Sequence, residues 1–193
     1  MSQNEEITYK YFEKQRLKLC GMHALNNLLQ EEKFKQKDLD AIAYEIDVSN
    51  RFFNPHKSVF GIGNYDANVL IKALTDIGYQ VTWFDKRKPT TEIDFSMNLY
   101  GLVINTMEKR FFNIYHARHW IAIKNLNFGK PPTQPNEHIT IDQLTITENQ
   151  SNQQYKFVEF NSEHRHPKLI DNIHTYIQDT IKNKNGEVLL VYR

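Results

Sequence analysis

The segment LCGMHALNNLLQ, residues 19–30, decides the fold because it places the chain's only cysteine where a helix is predicted to begin. Leu25, Leu28 and Leu29 recur at helical spacing without a proline, which predicts a helix over residues 20–32. A thiol in the first turn of a helix lies beside unpaired backbone N–H groups and the positive end of the helix dipole. This position favours a reactive Cys20, although a single cysteine can equally be a small buried apolar side chain.

Apolar spacing and turn residues predict the other elements. Three more helices are expected at residues 37–47, from Asp66 to Gly78, and over the periodic positions Leu169, Ile170, Ile173, Ile177 and Ile181 up to Gly186. Five β-branched or aromatic segments predict strands at residues 79–84, 99–105, 119–124, 155–160 and 187–192. Helices first and strands later indicate an α+β fold, with N-terminal helices packed on a mainly antiparallel sheet.

The length of 193 residues fits a single domain over residues 1–193. Residues 125–154 do not fit the scheme, because they contain three prolines and a long polar run. We interpret this stretch as an insertion. Alternating isoleucine and leucine at residues 139–146 hints at one extra strand or hairpin within it, and we assign it no chemistry.

Composition excludes several classes of function. The 24 Lys and Arg residues balance 23 Asp and Glu residues, so nucleic acid is not an expected partner. The first residues lack the features of a secretory signal, and no apolar run approaches the roughly 18 residues of a membrane span. One cysteine can form neither an internal disulfide nor a Cys-based zinc site. We therefore expect a monomer of the cytosol or nucleus, with no cofactor and no metal.

A thiolate nucleophile needs a base, and the base needs a partner that orients its ring. Of eight histidines, His119 opens a predicted strand and could project from a rigid sheet edge towards a helix start. His23 is close to Cys20 in sequence, but catalytic partners usually converge from distant segments, so we favour a packing or hydrogen-bonding role for it. Asn161 follows another strand and could orient the imidazole, and the amide of Gln15 could stabilise an oxyanion.

Each of these residues also has an ordinary structural interpretation. His119 can be a core or rim histidine beside a tryptophan, Asn161 a turn residue and Gln15 a surface glutamine. Spacing alone does not choose between these roles.

Several blocks of the chain together resemble a Josephin domain. They are residues 11–15 and 19–30, residues 54–58 and 61–69, residues 83–87, 119–120 and 160–162, and residues 187–191. Residues 54–58 and 61–69 are more similar to the short stand-alone members of the family than to the multidomain ones. The likeness covers nearly the whole chain.

The resemblance implies a papain-like cysteine protease that cleaves the isopeptide bond after the C-terminal glycine of ubiquitin. It implies that Cys20 is the nucleophile, His119 the base, Asn161 the orienting residue and Gln15 the oxyanion-hole donor. Ubiquitin and ubiquitinated proteins are the partners that it implies.

One departure from the family pattern concerns Asn161, because the short members usually have aspartate there. Asparagine can orient the ring but supplies no negative charge, so we predict a less persistent thiolate–imidazolium pair and weak turnover. A ubiquitin-binding module with negligible hydrolysis stays open as an alternative. An acyltransferase that passes the thioester to an amine or alcohol is a second alternative.

Overall fold

The predicted order, helices first and sheet later, is present in a computed structural model that describes residues 9–47, 56, 64–95, 98–110, 115–129 and 156–193. The helices are α1 Cys20–Leu29, α2 Gln36–Ile46, α3 Ala67–Asp76 and α4 Ile173–Asn183. The strands are β1 Gln80–Trp83, β2 Leu99–Arg110, β3 Tyr115–Asn125, β4 Phe157–Phe160, β5 Lys168–Ile170 and β6 Glu187–Tyr192. No helix in these ranges is long and apolar enough to cross a membrane.

The described strands form one sheet in the order β1-β6-β2-β3-β4-β5. Every neighbouring pair is antiparallel. The long strands β2 and β3 lie at the centre and are paired from Gly101 and Lys124 to Arg110 and Tyr115. The expected α+β fold with an antiparallel sheet is therefore confirmed.

The sheet is apolar on both faces, because successive side chains of a strand point to opposite sides. Val103 and Leu189 pack with residues of α1, α2 and α3 in one core cluster. Leu102 and Leu190 pack in a second cluster with Ile177 of α4. The three N-terminal helices thus cover one face of the sheet, and α4 covers the other.

The ends of the helices follow local side-chain chemistry. The Asp66 carboxylate accepts a hydrogen bond from the backbone N–H of Val69 at 3.2 Å, which confirms it as the N-cap of α3. Helix α1 ends earlier than residue 32, because Gln30 adopts the left-handed conformation at φ 61°.

The prediction for the start of α4 was wrong. Leu169 and Ile170 belong to β5, where they pair with β4, and the helix begins after Asn172. The Asn172 side chain accepts a hydrogen bond from the backbone N–H of Thr175 at 2.9 Å, and this cap sets the helix start. Apolar spacing alone did not distinguish a strand residue from a helix residue here.

The predicted insertion is described only at its beginning. Asn125 ends β3, and residues 126–129 form a turn. The remainder of residues 125–154, with the predicted extra strand at 139–146, lies outside the described residues. The single-domain boundary and the insertion therefore stay predictions.

Candidate active site

Cys20 is the first residue of α1, as the sequence predicts. The N-cap residue is Leu19, whose side chain has no oxygen to offer the helix, and the first helical hydrogen bond joins His23 N to Leu19 O at 3.0 Å. The N–H groups of the first turn therefore point towards the thiol end of the helix. The cysteine is 5% exposed, so these dipoles act on it with little screening by water.

The start of α1 is held against β3 by close packing. A Cβ atom on Gly21 would lie 3.1 Å from Leu70 Cδ1 and 3.4 Å from Trp120 Cδ1, so glycine allows the close approach of the helix. Trp120 is 4% exposed, and its indole N–H donates to the Tyr65 carbonyl at 3.0 Å. Trp120 follows His119 in the chain. The packing of Gly21 against Trp120 therefore brings the start of α1 next to the predicted base.

The structure brings His119 and Asn161 together by strand pairing. Ala122 of β3 pairs with Phe160 of β4, and beyond this pair β3 continues through His119 while Asn161 follows the end of β4. His119 thus lies within β3, which begins at Tyr115, and does not open the strand as predicted. His119 Nε2 lies 2.9 Å from Asn161 Oδ1. The two residues are 1% and 4% exposed, so the contact is shielded from solvent.

The proton positions of this pair follow from a third residue. The backbone N–H of Glu163 donates to Asn161 Oδ1 at 3.0 Å. An N–H group can only donate, so this Asn161 atom is the oxygen, and His119 Nε2 must carry a hydrogen. The other ring nitrogen, Nδ1, is then the one that can exchange a proton with the Cys20 thiol, whose interaction with His119 favours the charged imidazole.

The surroundings favour the imidazolium form of His119. Burial lowers the pKa of His119, but the hydrogen bond and charge of Cys20, the bond to Asn161 and the charge of Glu163 together raise that pKa above its usual 6.5. Glu163 Oε1 lies 3.8 Å from His119 Nδ1. This carboxylate, which we did not foresee, supplies negative charge that Asn161 lacks.

Gln15 lies beside the turn that carries Asn161. Its backbone N–H donates to the Ser162 carbonyl at 2.8 Å, and the Ser162 hydroxyl donates to Gln15 Oε1 at 3.4 Å. The Gln15 amide donates to Leu17 O at 3.2 Å. That bond uses one of the two amide hydrogens, so a second hydrogen is available for an oxyanion.

His23, the rival candidate for the base, lies in a separate network. It is 3% exposed, and its Nε2 accepts the backbone N–H of Arg16 at 3.1 Å. Its Nδ1 is 2.9 Å from Glu13 Oε1, although its N–H is not well aligned with that oxygen. The Glu13 carboxylate also accepts hydrogen bonds from Tyr11 and Asn26. His23 therefore attaches the segment that carries Gln15 to α1.

Sequence patterns did not predict the roles of Glu13, Glu159 and His164 around this site. The only signal for the last of these was the cluster of charged and histidine residues after Asn161, at positions 163–166. Within the described ranges, no group of three His, Cys, Asp or Glu residues could hold a metal ion. The groups that do meet, a thiol, an imidazole and a carboxamide, have the chemistry of a nucleophile, a base and an orienting residue.

Comparison with known proteins agrees with the fold. The family model described as Josephin matches residues 15–192. The chain is 38% identical to Josephin-2 of Mus musculus over 121 residues, which are 61% of this chain and 63% of that protein. It is 37% identical to a Josephin-like protein of Drosophila melanogaster over 123 residues, 61% of this chain and 55% of that protein.

A more distant match is the Ataxin-3 homolog of Caenorhabditis elegans, 26% identical over 137 residues, 67% of this chain and 43% of that protein. The matches to these relatives thus span less than two-thirds of each relative's own length. The family model, by contrast, covers almost the entire chain. This protein belongs to the Josephin family.

Proposed function

We propose that this chain is a cysteine-type deubiquitinase that hydrolyses isopeptide or peptide bonds after the C-terminal glycine of ubiquitin. The proposal rests on one observation. His119, oriented through Nε2 by Asn161 at 2.9 Å, interacts with a thiol at the tip of a helix. Because Asn161 occupies Nε2, Nδ1 is the ring nitrogen left to take the thiol proton, as a base does for its nucleophile.

The reaction uses each residue in turn. Transfer of the Cys20 proton to His119 Nδ1 leaves a thiolate, which attacks the carbonyl carbon of the terminal glycine. The backbone N–H of Cys20 and the second amide hydrogen of Gln15 stabilise the oxyanion. His119 then protonates the departing amine, and the carbon–nitrogen bond breaks to leave a thioester.

Water completes the cycle. His119 takes a proton from the attacking water, the carbon–sulfur bond breaks, and the thiolate and the free ubiquitin carboxylate are released. Asn161 keeps the imidazole in the same orientation through both half-reactions. The Josephin-family match and the resemblance of the motifs support ubiquitin as the substrate class.

A second candidate is a module that binds ubiquitin without hydrolysing it. The observation that favours it is the 5% exposure of Cys20, because an acyl group cannot reach a covered sulfur unless neighbouring atoms move. Both candidates use the same surface for the ubiquitin tail, so binding alone does not separate them.

A ubiquitin that carries a C-terminal electrophile separates the two candidates. We expect covalent capture by the wild type, no capture by Cys20→Ala, and greatly reduced capture by His119→Ala. His23→Ala should still be captured. Reversible binding of ubiquitin by a folded wild type without any capture would support the binding module instead. Product analysis with added amine distinguishes hydrolysis from acyl transfer.

A further inference from the structure

Asn161 has a second hydrogen-bonding end, and this end faces another histidine. While Oδ1 of Asn161 accepts from His119, its Nδ2 lies 3.4 Å from His164 Nε2. Asn161 is 4% exposed, so its NH₂ group is removed from bulk water and depends on protein partners. The imidazole of His164 therefore contacts the end of the amide opposite to the catalytic pair.

His164 in turn lies against a buried carboxylate. Its Nδ1 is 3.1 Å from Glu159 Oε1, and Glu159 Oε2 accepts a hydrogen bond from the Tyr176 hydroxyl at 3.0 Å. Glu159 is 9% exposed. The Nδ1 atom of His164 has no well-aligned hydrogen-bond partner, so its attraction to Glu159 is mainly electrostatic. Electrostatic attraction depends on distance more than on angle. The 3.1 Å between His164 Nδ1 and Glu159 Oε1, away from water, is short enough for a strong attraction.

The proton positions along this chain are mutually consistent. The Asn161 NH₂ group can only donate, so His164 Nε2 must present its lone pair. The ring hydrogen of neutral His164 is then on Nδ1, the nitrogen that faces Glu159. A carboxylate at this place favours that tautomer, because it attracts the N–H and repels a nitrogen lone pair.

We propose that Glu159 and His164 are positioning residues for Asn161, and through it for His119. This inference rests on the proposed function, in which His119 is the base. Glu159 selects the His164 tautomer, His164 holds the NH₂ end of Asn161, and the Asn161 oxygen is thereby kept on His119 Nε2. No proton moves along this chain during the reaction, because each group acts through orientation only.

The arrangement compensates for an asparagine in the orienting position. A carboxamide has two different ends and must be held in one of two orientations, whereas a carboxylate has two equivalent oxygens. The backbone N–H of Glu163 holds the oxygen end, and His164 holds the nitrogen end. Both contacts come from the short turn that follows β4, so the orientation of Asn161 depends on residues local to it.

The test uses four substitutions in the full chain: His164→Leu, His164→Gln, Glu159→Gln and the double variant Glu159→Gln/His164→Leu. His166→Leu is the matched control, because His166 is an exposed histidine of the same turn. The readouts are kcat and KM on ubiquitin with a fluorogenic C-terminal amide, together with the rate of alkylation by iodoacetamide. Cys20 is the only cysteine, so alkylation reports on its sulfur alone.

We expect His164→Leu to lower kcat and the alkylation rate about tenfold, with KM unchanged. Tenfold is about the smallest loss that is typical when a residue that orients a functional side chain is removed. His164→Gln should restore most of both rates, because a glutamine can accept from Asn161 and donate to Glu159. Glu159→Gln should lower kcat by a smaller factor than His164→Leu. The double variant should equal His164→Leu, because Glu159 acts only through His164.

The proposal is overturned if His164→Leu behaves as His166→Leu does, or if Glu159→Gln has its full effect without His164. If His164→Leu fails to fold, Glu159→Gln and His164→Gln still test the chain, because both keep polar side chains of suitable size. A wild type without Cys20-dependent turnover would refute the proposed function alone. The alkylation rates would still rank the variants in that case, since they need no ubiquitin.

Discussion

His23 offers the sharpest test of how this site is built, because it is three residues from the nucleophile but faces another network. In His23→Ala, the backbone N–H of Arg16 loses its acceptor, and the half-buried Glu13 carboxylate loses the imidazole 2.9 Å away. Alanine offers neither the Arg16 N–H nor the Glu13 carboxylate a replacement for the imidazole. We therefore expect a loss of stability and a looser attachment of the segment that carries Gln15.

The size of the effect follows from these two contacts. The hydrogen bond from Arg16 contributes about 1 kcal/mol, and the poorly aligned contact with the Glu13 carboxylate contributes at most about 2 kcal/mol, so His23→Ala should cost about 1–3 kcal/mol of the free energy of unfolding. Domains of this kind have roughly 5–15 kcal/mol in total. With a urea dependence of about 3 kcal/mol per molar, the unfolding midpoint should fall by at most about 1 M.

The effect on chemistry should be smaller than that of losing the base. His23→Ala disturbs the Gln15 oxyanion donor but leaves Cys20 and His119 in contact, so alkylation of Cys20 by iodoacetamide should continue. His119→Ala should suppress both alkylation and turnover. Urea unfolding and alkylation, measured on the same preparations, separate the two roles. A His23→Ala protein as stable as wild type but as unreactive as His119→Ala would refute the reasoning and make His23 the base.

Glu13→Gln is the matched control for this network. Burial raises the pKa of Glu13, but hydrogen bonds from His23, Tyr11 and Asn26 outweigh it and lower that pKa below its usual 4.5. A lowered carboxyl pKa stabilises the fold above the unfolded value, and this stabilisation is lost as the pH falls through the folded value. Wild type should therefore lose stability below about pH 4.5, and Glu13→Gln should be less stable at neutral pH with a flatter acid profile in urea unfolding.

Three other predictions concern the Cys20 thiol, the His119 imidazole and the packing of α1 on the sheet. Asn161→Asp adds a negative charge behind the imidazole and should shift the pH titration of Cys20 alkylation to lower pH; an unchanged titration would count against the charge argument. Cys20→Ala removes a hydrogen bond and a charge that raise the pKa of His119, so NMR titration should give a lower pKa than in wild type, and an equal or higher value would contradict the contact. Gly101→Ala should destabilise the protein by about 3 kcal/mol in urea unfolding, because its Cβ would collide with the backbone carbonyl oxygen of Ile123 in β3 and would also lie 2.7 Å from Leu28 Cδ1 of α1; a stable variant would show that the strand backbone and the helix can both shift.

Most of the elements could be predicted from local patterns. The strand at residues 187–192 and the Asp66 cap of α3 were predicted as they are found. The failure at Leu169 and Ile170 is instructive, because these two residues of β5 continue the apolar spacing of α4. Pairing with β4, a contact between separate segments, determines their conformation, and no local propensity reports it.

The sequence by itself determined which residues could carry the chemistry. The single cysteine, its place at a helix start and the Josephin motifs all lie in short continuous segments, and short-range physics governs those. It could not assign the proton positions. His119 carries its hydrogen on Nε2 because an N–H of Glu163 meets the oxygen of Asn161.

Tertiary structure alone decided the neighbours of each polar group. It placed His23 on Arg16 and Glu13, and it placed Glu159 and His164 behind the orienting amide. The reason is physical: a hydrogen bond is decided by which groups meet within about 3 Å away from water, and the fold sets that distance between residues far apart in sequence.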